Sequence, residues 1–331
     1  MARRKQTKAR VLPPAVMKLH FEADINTISY VSISEEVSKV CRRFYRQGLN
    51  WAVANVRVTQ QPGVTAGAGG STSYVNTIPH TWPVANSWVK AFHAWKNQQD
   101  DAMEAMGGQS GTAAFRDFKI SMESTHVIAN NLNTLSIGPG SVAGPFQFGI
   151  QSGAFVNDSE DWQASQVVIP NDGAPGNTVE YLLHMVGPST AGSKGLIAGY
   201  EFSRSFPQSP DPATPAMHTS WLNEMQDVGD DSDAIVDNAT DRNDELPYDQ
   251  NEYPGGATNF IQLECQGYNW NQSSVGINTY NTGPFTAPCG LIRFDFLNQQ
   301  ILEGSTGMNT ITITLVPGNH RGYLAETMEA F

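Results

Sequence analysis

Residues 309–318 read NTITITLVPG. Ile311, Ile313 and Leu315 alternate with Thr310, Thr312 and Thr314, and Pro317–Gly318 stops the run. A period of two sends alternate side chains to opposite faces of a strand, and β-branched residues suit a pleated backbone. The stretch is predicted to be a strand. Its aliphatic face should lie in a core between two sheets, with its threonine face turned away.

The same reading, carried outward, finds alternation from Met17 through Leu19, Phe21 and Ala23 to Ile25, and again in WAVANVRVTQQ (51–61). Further candidates are residues 113–122, 162–170, 178–187, 260–269 and 289–296. This makes eight main strands, seldom at hairpin distance from one another. Two helical patterns interrupt them. One is SEEVSKVCRRFYRQGLN (34–50), with Ser34 as N-cap, Glu35 and Glu36 in the first turn and Gly48 as the stop. The other runs from Thr81 to Gly107–Gly108. A PGVTAGAGGSTS loop (62–73) follows the second strand. The expected fold class is all-β: an eight-stranded jelly-roll β-sandwich with helical and long-loop insertions.

Between the candidate strands at 178–187 and 260–269 lie about seventy residues, far beyond an ordinary loop. An inter-strand insertion over about 188–258 is therefore expected. Within it Leu246, Tyr248 and Tyr253 stand among charged residues and are candidate subunit-interface anchors.

Charge is segregated along the chain. The protein has a formal charge of −12, yet residues 1–10, MARRKQTKAR, carry Arg3, Arg4, Lys5, Lys8 and Arg10. Residues 1–46 hold ten of the twenty Lys and Arg against four acids, a balance of +6; the remaining ten bases face 28 acids, −18. Added cations do little for the solubility of a protein this acidic. A polyanion held by the arm is the better reading. Residues 1–15 are thus assigned as a basic flexible N-terminal arm, and residues 16–331 as a single domain. RRFYRQGLNW (42–51) also mixes arginines with rings, as base stacking with phosphate contact would need. The helical spacing of Val37, Cys41 and Tyr45 explains the same residues as a packed face, and that reading is favoured.

Catalytic signatures are absent: no phosphate-binding G-x-x-x-x-G-K-[ST], no H-E-x-x-H, no G-x-S-x-G. The chain is expected not to be an enzyme. Cys41, Cys265 and Cys289 form neither a metal signature nor a disulfide framework. No apolar run reaches the roughly 20 residues needed to cross a bilayer, so no membrane partner is expected. Eleven acids crowd residues 224–252 beside the single Arg242. No cofactor is called for, but Asp230, Asp231 and Asp233 offer the oxygens that Ca²⁺ would want at a subunit contact.

Five phrases carry a resemblance: RRFYRQGLNWAVANVRV (42–58), FRDFKISME (115–123), KGLIAGYEFSRSFPQSPDPATP (194–215), NDELPYDQNEYPGG (243–256) and PCGLIRFDF (288–296). Together they resemble the capsid proteins of circular Rep-encoding single-stranded DNA viruses, the circovirus-like CRESS group. The resemblance spans roughly residues 16–300. It implies one jelly-roll subunit that self-assembles into a small icosahedral shell of about 60 copies. That shell would package circular single-stranded DNA through the arm cations Arg3, Arg4, Lys5, Lys8 and Arg10. It further implies residence in the virion, passage through the host nucleus during assembly and a host surface receptor. The alternative from the residues alone is a carbohydrate-binding, lectin-like jelly roll that uses exposed Trp and acidic side chains.

Overall fold

The computed structural model describes residues 15–41, 43–62, 70–105, 107, 116–129, 131–132, 163–170, 175–205, 222, 262–273, 276–299 and 308–328. The chain begins with β1 (Lys18–Asp24), β2 (Ile28–Ser32), α1 (Ile33–Cys41), β3 (Leu49–Gln60), β4 (Ser71–Thr77) and α2 (Trp82–Ala105). A middle portion follows with β5 (Gln166–Pro170), β6 (Thr178–His184), β7 (Ser193–Gly195) and α3 (Leu196–Ser205). The last portion holds β8 (Glu264–Asn271), β9 (Asn278–Asn281), β10 (Phe285–Ala287), β11 (Leu291–Leu297) and β12 (Met308–Leu315). Three short strands close it: β13 (Pro317–Gly318), β14 (Gly322–Tyr323) and β15 (Ala325–Thr327).

Two antiparallel sheets dominate. One has six strands in the order β1-β12-β3-β10, with β9 and β15 also pairing with β3; the other runs β2-β11-β4-β8. β12 sits centrally in the first, pairing Ile313 with Leu19 and Val56, and Ile311 with Phe21 and Val58. All six side chains are fully buried. They join Val31, Val75, Ile292, Phe294 and Phe296 of the second sheet in one apolar cluster. The predicted faces of β12 are therefore correct: Ile311, Ile313 and Leu315 point inward, while Thr310, Thr312 and Thr314 are exposed or half-buried.

The all-β expectation holds, but the strand inventory changes. The described residues carry fifteen strand segments rather than eight. The alternation starting at Met17 is two strands, in different sheets. Asn26 breaks the run at φ 54°, and its side chain exchanges hydrogen bonds of 2.9 and 2.7 Å with the backbone of Gln299. Asn adopts this left-handed conformation more readily than most residues, which allows a crossing between sheets in three residues. The Ser/Thr-rich end of the predicted loop is β4, whose Ser71 and Ser73 face inward and bond Gln60 instead of packing as hydrocarbon.

Residues 113–122 were expected to form a strand, and among those described none does beyond an isolated bridge from Ser121 to His184. Phe118 and Ile120 are buried as a strand's would be. The partner, however, is a side chain: the Gln47 amide accepts from Ile120 N at 2.6 Å and donates to Ile120 O at 2.9 Å. That side-chain clamp satisfies the backbone without a ladder.

β5, β6 and β7 make a separate three-stranded sheet. Its buried Val167, Ile169, Tyr181 and Leu183 form a second core with Trp88 and Trp95 of α2 and Leu196 and Ile197 of α3. Between Thr77 and Glu264 the described residues add no strand to the two main sheets beyond an isolated bridge from Asn131 to Tyr30, and most of the insertion expected at about 188–258 lies outside the described residues. α2 matches its predicted span. Thr81 O accepts from Val84 N and Ala85 N, and Gly107 takes φ 74° beyond the last turn.

Candidate nucleic-acid interface

The arm cations Arg3, Arg4, Lys5, Lys8 and Arg10 lie outside the described residues. So do the interface candidates Leu246, Tyr248 and Tyr253 and the metal candidates Asp230, Asp231 and Asp233. Among the described residues no group of three His, Cys, Asp or Glu could hold a metal ion. The point where the arm joins the fold is described, and it is built from three distant parts of the sequence.

The first part is the start of the domain. Val16 O accepts a 2.8 Å hydrogen bond from the Tyr323 hydroxyl, and Met17 O accepts from Leu315 N. Burial, then Cys41 at 3.1 Å, raises the pKa of Tyr323, so it stays a neutral donor. The second part is the segment after α1. The helix ends at Cys41, earlier than the sequence pattern suggested, because Ser38 turns the chain. Ser38 O accepts from Arg43 N and Ser38 Oγ accepts from Tyr45 N. Tyr45 is buried, while Arg43 and Arg46 are exposed.

The third part is the β13–β14 hairpin. Its loop ends at Arg321, with φ 52°, followed by Gly322 at φ 109°. Arg321 Nη1 donates to Phe44 O at 2.6 Å, and the guanidinium stands 5.8 Å from the centre of the Tyr45 ring. Tyr45 returns a hydrogen bond to Arg321 O at 3.3 Å. Tyr45, Trp51 and Tyr323 meet edge-on or tilted at 5.6–6.0 Å, locking the three parts together. Arg43, Arg46 and Arg321 therefore gather at one rim, beside the residues where the basic arm enters the fold.

Under this rim lies a cavity of about 590 Å³. Phe44, Arg46, His320, Arg321, Trp88, Phe92 and Asp117 line it. Trp88 and Phe92 stack with centroids 5.1 Å apart and planes within 7°. Gly48 is required there, since a Cβ at that position would come within 2.3 Å of the Trp88 ring. His320 has its pKa lowered by burial and then by Arg321, and is neutral at pH 7. Burial raises the pKa of Asp117, whose Oδ2 accepts from Gln47 N at 3.0 Å.

Sequence reasoning favours a packed helical face for residues 42–51 and so assigns Arg42, Arg43 and Arg46 no site; Arg42 lies outside the described residues. It missed Arg321 and His320 altogether. The only signal was GNHRG (318–322), a polar turn between two glycines close after the clearest strand.

A second polar assembly joins the four-stranded sheet to residues 121–132. Arg293 donates to Glu123 and to Asp295 at 2.7 Å each, and Tyr30 also donates to Glu123. His126 stacks on Tyr30 at 4.1 Å and contacts Asn131, which donates to Glu35. These groups satisfy one another within the fold, and the arrangement is structural.

Comparison with known proteins found no matching family model, no matching curated protein and no matching solved structure.

Proposed function

We propose that this chain is a structural, non-catalytic protein: a subunit that assembles with copies of itself into a closed shell and packages single-stranded DNA. The observation that carries this reading is the packing of Val16, next to the basic arm in sequence, close to Arg43, Arg46 and Arg321, which sets further cations beside that arm in an acidic protein. A cationic edge on an acidic protein would attract phosphate there and so orient subunits alike on DNA. The fold supports it. From β1 to β4 the chain crosses between the two main sheets at every step, and it crosses again from β8 to β10, β11 and β12. We read the orders β1-β12-β3-β10 and β2-β11-β4-β8 as the two sheets of a jelly roll, an architecture that viral shells use. In this reading the protein resides in the virion and reaches the host nucleus during assembly.

Deleting residues 2–10 is expected to leave a folded subunit that still assembles, because among the described residues strand pairing starts at Lys18. The absorbance ratio at 260 and 280 nm of nuclease-treated particles should fall toward that of empty shells. Five arm cations should contribute about −3.5 to the log–log salt slope of single-stranded DNA binding, and the deletion should remove that contribution. Particles of the deleted protein that carry as much DNA as full-length ones would show that the arm is not the genome contact.

One feature favours the carbohydrate-binding alternative. Tyr268 and Trp270 on β8 are 54% and 49% exposed, and Tyr268 lies 5.2 Å from Tyr74 on the same face. Exposed aromatic rings offer large flat apolar faces, which the face of a sugar ring can cover. Retention on a glycan array, lost in Trp270→Ala and accompanied by no particle formation, would favour this reading over the shell.

A further inference from the structure

We infer that the cavity beneath the Arg43–Arg46–Arg321 rim is a nucleotide pocket, taking one base and its phosphate from single-stranded DNA. This rests on the DNA-packaging reading and extends it from the arm to a defined site on the domain. Four observations converge. The volume, about 590 Å³, is that of a small-molecule site rather than a packing defect. Half-buried Phe44 and Phe92 offer ring faces on which a base can stack. Arg46 and Arg321 stand at the mouth, where a phosphate would lie.

The fourth observation is the most specific. Trp88 is only 6% exposed, lines the cavity, and its indole N–H has no hydrogen-bond partner among the described residues. Buried donors are rarely left so, and this one would be satisfied by an acceptor brought in by a ligand. A base carbonyl is such an acceptor. Asp117 supplies the complementary group, a carboxyl that can accept from a base N–H. Thymine carries both a carbonyl and a ring N–H, so an oligothymidylate is the appropriate probe.

Arg321 provides a clean variant. At φ 52° it occupies a conformation that Asn adopts more readily than Arg. Arg321→Asn should therefore keep the hairpin while removing the cation. The experiment irradiates the full-length protein with oligothymidylate carrying 5-iododeoxyuridine and maps the cross-linked peptides. Cross-links within residues 43–49, 82–105 or 317–328 are expected, besides those on the arm. Arg321→Asn should cut these domain cross-links by about ten-fold. It should also make the salt slope shallower by about 0.7, because one fewer phosphate is neutralised. The unfolding midpoint should fall only slightly, through loss of the exposed bond to Phe44 O and the contact with Tyr45. Arg46→Gln, at an exposed position, should give the same pattern and serves if Arg321→Asn does not fold. Cross-links confined to residues 1–14 would overturn the pocket and leave the packaging reading standing. A full-length protein that binds no oligothymidylate at all would overturn both.

Discussion

Replacing Ile313 by Asp is expected to abolish soluble, assembled protein, whereas Asp placed one residue further on, at Thr314, is expected to be tolerated. Ile313 has no exposed surface and lies between Leu19 and Val56 in the middle of the six-stranded sheet. Losing its side chain alone removes packing worth about 2–5 kcal/mol. Burying a carboxylate without a partner adds several more. The sum reaches the 5–15 kcal/mol by which most domains are stable at all. Thr314 is half-buried on the opposite face, directly across from Lys18. A carboxylate there gains an opposite-charge cross-strand neighbour, and the change should stay within about 1 kcal/mol of wild type. The comparison needs only the soluble fraction after expression and a urea midpoint for whatever is soluble. Soluble Ile313→Asp with a near-native midpoint would mean that the inward face is wrongly assigned.

That contrast shows why the strand frame was legible. Where one face is dry and the other wet, alternation is forced on the sequence, and β1, β3, β11 and β12 all display it. Legibility fails where another interaction does the work of hydrocarbon. β4 faces its core with Ser71 and Ser73, because Gln60 reaches across to bond them, and so it reads as a loop. Residues 116–120 look like a strand because Phe118 and Ile120 are buried, yet Gln47 takes the place of the neighbouring strand. A sequence pattern records burial; it does not record which group satisfies the backbone.

The candidate interface was half legible for a related reason. A run of cations in one decapeptide is visible as composition. The rim, by contrast, is assembled from residues near 16, 43–46 and 321, and only β-sheet closure brings them together. Arg321 has no local signature beyond a polar turn. The cavity depends on Gly48 yielding room to Trp88, a steric fact with no trace in periodicity.

Acidification should destabilise the protein steeply below pH 6.5, through two histidines. His126 and His184 are both buried, and burial lowers each from 6.5 to about 4. The hydrogen bonds explain why neither accepts a proton easily. His126 Nδ1 accepts from Met122 N at 2.9 Å, so its proton sits on Nε2, facing Asn131 Oδ1 at 2.9 Å. Protonating Nδ1 would set two N–H donors against each other. His184 Nε2 lies 3.2 Å from Pro188 O, while its Nδ1 is buried with no partner, so a second proton would have no acceptor. With folded pKa values depressed, the unfolded chain binds more protons between pH 6.5 and 4. Stability is then full above about 6.5 and is lost as pH falls. Each histidine contributes a limiting slope of about 1.4 kcal/mol per pH unit, so the pair costs on the order of 3 kcal/mol by about pH 5.5. Glu35, Asp117 and Asp295 act in the opposite sense, since burial raises their folded pKa values and they gain protons more readily when folded. Their stabilisation accrues as pH falls from each raised folded value toward about 4, and there it offsets part of the loss from the histidines. Urea midpoints measured between pH 7.5 and 5.5 should therefore fall monotonically, and His184→Gln should show about half the slope. A wild-type midpoint that stays flat across that range would mean that these imidazoles titrate as freely in the folded protein as in the unfolded chain.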